Sequence, residues 1–303
     1  IAIKIFNKAI ELNPNYLRPY SNLAGIYVGE GDFKKAEHFL RKSVDLNPKD
    51  LNSLVNLGCV LKDLGNPEEA EIFFRDALEI NPSYEIALTN LGAVLSELEK
   101  IDEAEKYLKK ALSINSASPM ALNNLGNILK KKKNNKDAEI CYRKAIKIKS
   151  NFSLAYNNLA SLLSKQGNLI EAEKFTEKAI KYNPKFELAY VNLGSIKIDL
   201  DKISEAEKLF LNAIEINKNY GYAYRNLFRL YEKTNSLKKL KDLIRTLNDN
   251  KFIINEILMF KARLCFREKD FTKAKSYIDQ VSNKWIKDTD NHTNILYWSY
   301  KAF

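Results

Sequence analysis

The stretch "ELAYVNLGSIKIDLDKISEAEKLFLNAIEINKNY", residues 187–220, is one unit of a pattern that runs through the chain. Apolar residues recur at steps of three and four over 188–200 and again over 204–216, which predicts two amphipathic helices. Between them "DK" makes a tight polar turn, and Ser204 is placed to cap the second helix. The Asn-Leu pair of this unit returns at a fixed interval. Steps of 34 residues back from Asn192 reach Asn158, Asn124, Asn90, Asn56 and Asn22, and one step forward reaches Asn226; a leucine follows each.

Small residues keep the same interval. Alanine stands at 36, 70, 104, 138, 172 and 206, is broken by Leu240 and resumes at Ala274, while Ala24, Gly58, Gly92, Gly126, Ala160 and Gly194 follow the Asn-Leu pairs. A small side chain at a fixed point on each helix lets two axes approach to the short end of about 8–10 Å. The start of a second helix is plainest at "NPEE", with Asn66 as N-cap, Pro67 in the first turn, and Glu68 and Glu69 matching the dipole. "NP" at Asn13-Pro14, Asn47-Pro48, Asn81-Pro82 and Asn183-Pro184 ends one unit and opens the next.

This pattern resembles the tetratricopeptide repeat, whose characteristic positions read Tyr190, Leu193, Gly194, Ala206, Phe210 and Ala213 here, with Lys218 in place of the usual proline. The resemblance implies an all-α, right-handed superhelical solenoid of tandem 34-residue helix-turn-helix repeats over residues 1–303. Residues 1–16 read as the second helix of an earlier repeat. Regular repeats occupy 17–50, 51–84, 85–118, 119–152, 153–186 and 187–220; degenerate ones occupy 221–254 and 255–288; and 289–303 reads as the first helix of another. In 221–254 the small residues become Phe228, Leu240 and Leu247, so its helices are expected to sit further apart or cross differently. Repeat 255–288 keeps Ala262 and Ala274 but has Lys261 where leucine is expected. "NILYWSY" at 294–300 carries a large apolar face, neither end has a polar capping helix, and the chain opens on Ile1, so both ends read as cuts through a longer protein.

Composition narrows the function. No apolar run approaches the roughly 18 residues of a membrane span. Cys59, Cys141 and Cys265 have neither disulfide-framework nor zinc spacing, so a cytoplasmic, reducing setting is expected. The only histidines are His38 and His292, and no glycine-rich phosphate loop is present, so no catalytic set, cofactor or metal is expected and the chain reads as a non-enzyme. The net charge of +11 is uneven: residues 1–118 hold 14 Lys+Arg against 18 Asp+Glu, and the remainder 35 against 20. That asymmetry fits either an acidic partner for the later repeats or a solvated lysine-rich surface. "KKKK" at 130–133 is read as a solvated turn closing a first helix rather than as a nucleic-acid site.

The resemblance also implies that first helices line a concave groove, with the recurring asparagine pointing into it and the leucine beside it turned to the core. Asn22, Asn56, Asn90, Asn124, Asn158, Asn192 and Asn226 would then form a ladder, joined in the middle by Asn123, Asn127 and Asn157. An amide donates and accepts at once, as a peptide backbone does, so such a ladder suits an extended segment held without reading its side chains. It is similar to the repeat region of O-linked N-acetylglucosamine transferases. The other reading is that these amides serve local hydrogen bonds. In repeat 221–254 the groove positions change to Tyr222, Arg225, Asn226 and Arg229. Arg225 and Arg229, one turn apart, form a candidate carboxylate or phosphate clamp, against intramolecular pairing with Glu232 or with acidic residues of the preceding repeat.

The expected function is therefore a scaffold binding extended protein or peptide segments, with no nucleic acid or membrane partner and end-to-end self-association through the terminal helices. The alternative is the substrate-recruiting region of a larger glycosyltransferase or sulfotransferase whose catalytic domain lies outside this chain.

Overall fold

The computed structural model describes residues 1–247 and 254–281; the expectations for 289–303, "NILYWSY" and His292 lie outside them. Among the described residues there are seventeen α-helices and no strand. They are α1 (Ala2–Leu12), α2 (Leu17–Glu30), α3 (Phe33–Leu46), α4 (Leu51–Asp63), α5 (Pro67–Ile80), α6 (Glu85–Glu97), α7 (Ile101–Ile114), α8 (Pro119–Lys131) and α9 (Asn135–Ile148). There follow α10 (Ser153–Lys165), α11 (Leu169–Tyr182), α12 (Glu187–Asp199), α13 (Ile203–Ile216), α14 (Gly221–Lys233), α15 (Leu237–Leu247), α16 (Ile254–Arg267) and α17 (Phe271–Asp279). The chain divides into two compact units, 1–162 and 163–303.

Within each unit the helices stack in order. In unit 1, α2 packs on α3, α4 on α5, α6 on α7 and α8 on α9; the second helices α3, α5 and α7 then meet α4, α6 and α8, the first helices of the following pairs. First helices also touch one another, α4 with α6 and α6 with α8, so they occupy the tighter side of that stack. Unit 2 repeats the scheme, with α12 touching α14 and α14 touching α16.

The alanines and glycines explain how the pairs close. Ala36, Ala70, Ala104, Ala138 and Ala206 are wholly buried. Opposite each of four glycines stands a fully buried side chain from the second helix. A Cβ added at Gly58 would lie 2.7 Å from the Phe74 ring, one at Gly92 2.5 Å from Leu108, one at Gly126 2.6 Å from Tyr142 and one at Gly194 2.5 Å from Phe210. The side chain from the second helix thus rests directly on the backbone of the first. Toward the end of α3, Ser43 takes the place held by Ala77, Ala111, Ala145, Ala179 and Ala213 in later repeats and joins a polar chain into the next pair: the hydroxyls of Ser21 and Ser43 are 2.9 Å apart, those of Ser43 and Ser53 2.8 Å, and Ser53 donates to Asp50 at 2.5 Å.

The turns are as periodic as the helices. The residue closing each first helix has positive φ in every full repeat: Gly31, Gly65, Glu99, Lys133, Gly167, Asp201, Asn235 and Lys269. Only glycine adopts that geometry without strain, yet five of the eight are other residues. Between units of the pattern a second asparagine series makes the turn. Asn13, Asn47, Asn81, Asn115, Asn183 and Asn217 each accept, through Oδ1, from the backbone N–H two residues on, at 3.0–3.2 Å.

Several local expectations are corrected. Helix α13 begins at Ile203 with Lys202 in the N-cap place, so Ser204 lies inside the helix and does not cap it. Asn66 stands at the N-cap of α5 with Pro67 after it, but its side chain makes no capping hydrogen bond. Capping by a side chain occurs instead at Asp32, Asp50, Ser118, Asn134 and Asp270. The lysine turn at 130–133 is not simply solvated. Lys131 donates to the Ser96 carbonyl at 2.8 Å and pairs with Glu99, while Lys132 reaches both Asp102 and Glu105 of the preceding pair at 2.8 Å.

Candidate functional site

The first helices present one stripe to solvent. On α6, Ala87, Leu88, Leu91, Gly92, Val94 and Leu95 are buried, leaving Ile86, Asn90 and Glu97 outward. The same register on α4 leaves Asn52, Asn56 and Asp63 outward, and on α8 Met120, Asn124 and Lys131. The recurring leucines Leu23, Leu57, Leu91, Leu125, Leu159, Leu193 and Leu227 are all buried. The sequence pattern therefore separates the amide from its neighbour by a change of face, since residues one apart on a helix lie about 100° apart.

The amides are not equivalent. In unit 1, Asn22 and Asn56 are exposed and make no hydrogen bond within the described residues. Asn90 is half-buried and donates to its own helix, Nδ2 to the Ile86 carbonyl at 2.9 Å. Asn123 and Asn157 are only 3% and 2% exposed, so they lie under the face rather than on it. Asn158 Nδ2 donates to Asn123 Oδ1 at 2.9 Å, and Asn123 Nδ2 to Asn124 Oδ1 at 3.4 Å, so one buried amide links two outer ones across successive repeats. Asn127 Oδ1 accepts from the Tyr142 hydroxyl at 2.7 Å. That hydroxyl is reached because the ring lies on Gly126, and burial holds its pKa above the usual phenol range. Cys59, half-buried in the same register, has its thiol pushed up by burial, so it is a poor nucleophile.

In unit 2, Asn192 and Asn226 are half-buried, and Asn226 donates back to the Tyr222 carbonyl at 2.7 Å. The candidate anion clamp is already engaged. Arg225 Nη1 lies 3.4 Å from Glu256 of the following repeat, and its guanidinium sits 5.3 Å from the centre of the Tyr222 ring. Its Nε is buried without a hydrogen-bond partner. Glu232 is taken by Arg263, which also lies over the Phe228 ring; burial raises the Glu232 carboxyl above its usual range despite that pair. Arg225 thus finds its counter-charge one repeat later, and neither Glu232 nor the preceding repeat supplies it.

A second ionic centre was missed by sequence reasoning. Lys197, 8% exposed, occupies the place held by Leu61, Leu95, Leu129 and Leu163 in earlier repeats. Its Nζ lies 2.5 Å from both Glu173 and Glu205, and Lys202 approaches Glu173 at 3.4 Å. The signal was present in the sequence as the single lysine in an otherwise apolar series.

Among the described residues no three His, Cys, Asp or Glu side chains are grouped as metal ligands, and no helix is long and apolar enough to cross a membrane.

Stacked helix pairs with a solvent-facing stripe on the first helices define the class of helical-repeat scaffolds. Models of the tetratricopeptide repeat match residues 17–50, 51–84, 83–151, 153–186 and 188–220, together about two thirds of the chain. The chain belongs to the tetratricopeptide repeat family. No curated protein matches it. Among solved structures it is similar to pilF of Pseudomonas aeruginosa, at 18% identity and TM-score 0.55 over 69% of this chain and 95% of that one. It is also similar to the APC/C hetero-tetramer Cut9-Hcn1, at 17% identity and TM-score 0.65 over 88% of this chain and 52% of that one. At these identities the likeness shows the fold alone.

Proposed function

We propose that the chain is a protein-interaction scaffold and that the outward face of its first helices holds extended peptide segments through the recurring asparagines. One observation carries this reading: Asn22, Asn56, Asn90, Asn124 and Asn158 stand in one register across unit 1, at the surface or half-buried, each beside a wholly or largely buried leucine. Local bonding leaves each amide a free function toward solvent. Asn90 keeps its oxygen, Asn124 its Nδ2 and Asn158 its oxygen, while Asn56 keeps both. Helices about 8–10 Å apart would set successive amides some three residues apart along an extended chain.

The test is fluorescence polarisation of labelled, uncharged disordered peptides against the wild type and an Asn56→Ala/Asn90→Ala/Asn124→Ala variant with a matched circular-dichroism spectrum. The expected result is binding by the wild type and a loss of about tenfold or more in the variant, roughly 1.4 kcal/mol, across unrelated sequences. Equal binding by both proteins would assign the amides to local bonding.

A further inference from the structure

We propose that unit 1 reads side chains as well as backbone, and that its occupant is a polyproline-II-like segment of a partner protein. That segment carries aliphatic residues at every third position and a lysine or arginine at the end lying over α4 and α6. The proposal rests on the peptide-binding reading above and adds the class of sequence bound.

Beside the amide row runs an apolar one. Ile86, Met120 and Leu154, one turn before Asn90, Asn124 and Asn158, are 48%, 44% and 40% exposed. Three large aliphatic side chains held at the surface in one register of three consecutive first helices form a row rather than scattered singles. At 1.5 Å per residue this row lies about 6 Å from the amides along the helix axis, close enough for one chain to touch both. Its spacing selects a conformation. Neighbouring helix axes are about 8–10 Å apart, and a polyproline II segment returns a side chain to the same side every three residues, about 9 Å. A β-strand does so every two residues, about 6.6 Å, and would fall out of step.

The charges give the segment a direction. From the amide row toward the far edge of the stripe the surface carries no charged side chain: it is formed by Asn90, Ala93, Asn124, Asn127, Asn158 and Ser161. A charged residue of the occupant would be desolvated there without a partner. At the far edge of the stripe, about 10 Å beyond the amides along the helix, α4 and α6 end in Asp63 and Glu97, both exposed. Glu97 has no ion pair or hydrogen bond among the described residues, although Lys62 and Lys131 lie near enough to act on it through charge, and Asp63 has its neighbour Lys62 at 3.6 Å. The corresponding residue of α8 is Lys131, already tied to Ser96 and Glu99. A long basic side chain reaches the acidic edge over α4 and α6 and finds no counterpart over α8.

The experiment uses the whole chain and labelled peptides of about 12 residues, long enough for three or four polyproline II turns. Peptide one has leucine at every third position of a Pro/Ser background and a terminal arginine, made with the arginine at either end. Peptide two has the same composition with leucine at alternate positions, and peptide three has serine for every leucine. The expected result is that one orientation of peptide one binds at least about tenfold tighter than peptides two and three. Ile86→Ser/Met120→Ser/Leu154→Ser should erase that advantage while leaving peptide three unchanged, and these exposed positions leave the fold intact. Asp63→Asn/Glu97→Gln should remove the preference for one orientation of peptide one over the other, about fivefold. If all three peptides bind alike and the asparagine variant weakens them all, the backbone-binding reading stands and this inference is overturned. If no peptide binds, both fall.

Discussion

Glycine at 58, 92, 126 and 194 has no room for a methyl group because a side chain from the second helix rests on its backbone. Gly126→Ala would drive a Cβ to 2.6 Å from the Tyr142 ring; the ring must shift, straining the core and breaking its hydroxyl's bond to Asn127. We expect a loss of about 1–3 kcal/mol by urea denaturation. Gly29, inside α2, meets nothing within 4 Å, so Gly29→Ala should instead gain about 0.5–1 kcal/mol from helix propensity alone. The pair of variants separates close packing from backbone freedom. Much at this scale was legible: Gly126 was marked as small by its period, and Leu125 as core by its neighbour's face. The buried state of Asn123 and Asn157 was not, because the same repeat position holds Ser21, Val55, Thr89 and Val191, and polarity alone does not say which side of a helix edge is wet. Ser204 misled because a serine one residue inside a helix looks, in sequence, like a serine capping it.

Between elements, long side chains join consecutive second helices at a constant offset. Arg41 bridges Glu37 and Glu69, and Arg75 bridges Glu71 and Glu103 28 residues on, each at 2.7–2.8 Å. That offset is visible in the sequence once the stacking is known, and only then, which is also why the Arg225–Glu256 pair was not anticipated. The Lys197 centre is the most buried of these contacts. Lys197 donates to Glu173, and its ammonium holds that carboxyl below the usual range against the opposing effect of burial. A carboxylate whose pKa is depressed on folding adds stability above its ordinary range, which is lost as pH falls through the folded value. Glu173→Gln should therefore cost about 1–2 kcal/mol at pH 7. The difference from wild type should shrink toward zero at an acid pH below that depressed folded value, where the wild-type carboxyl is protonated as well. Chemical denaturation at the two pH values measures it. A cost independent of pH would mean that the glutamate acts through packing and not charge.

At the scale of the molecule, repeat arrays owe their stability to each pair and its neighbours, so weakness is local. In unit 2 the packed core runs from Val191 through Phe210 to Phe260, yet the α14–α15 pair is held less closely than α12–α13. Phe228 occupies the glycine place and is stacked on Phe260 of the following repeat at 4.1 Å. The sequence predicted a looser pair from Phe228, Leu240 and Leu247; it did not reveal that Phe228 would compensate by joining the next repeat. Hydrogen exchange should show α15 opening before α13, by a protection difference of about tenfold or more, or roughly 1.4 kcal/mol. Equal protection of the two helices would remove the distinction.

That exchange of a ring from one partner to the next has a mechanical side. Glycine-seated rings clamp a pair to itself, whereas Phe228 stitches its first helix to the following one and leaves α15 held chiefly by Leu240, Ile244 and Leu247. Under tension the second helix of this repeat would peel away while α14 and α16 stay joined, paying out slack like a folded pleat. A load along the chain would be absorbed there, sparing the clamped pairs that carry the asparagines.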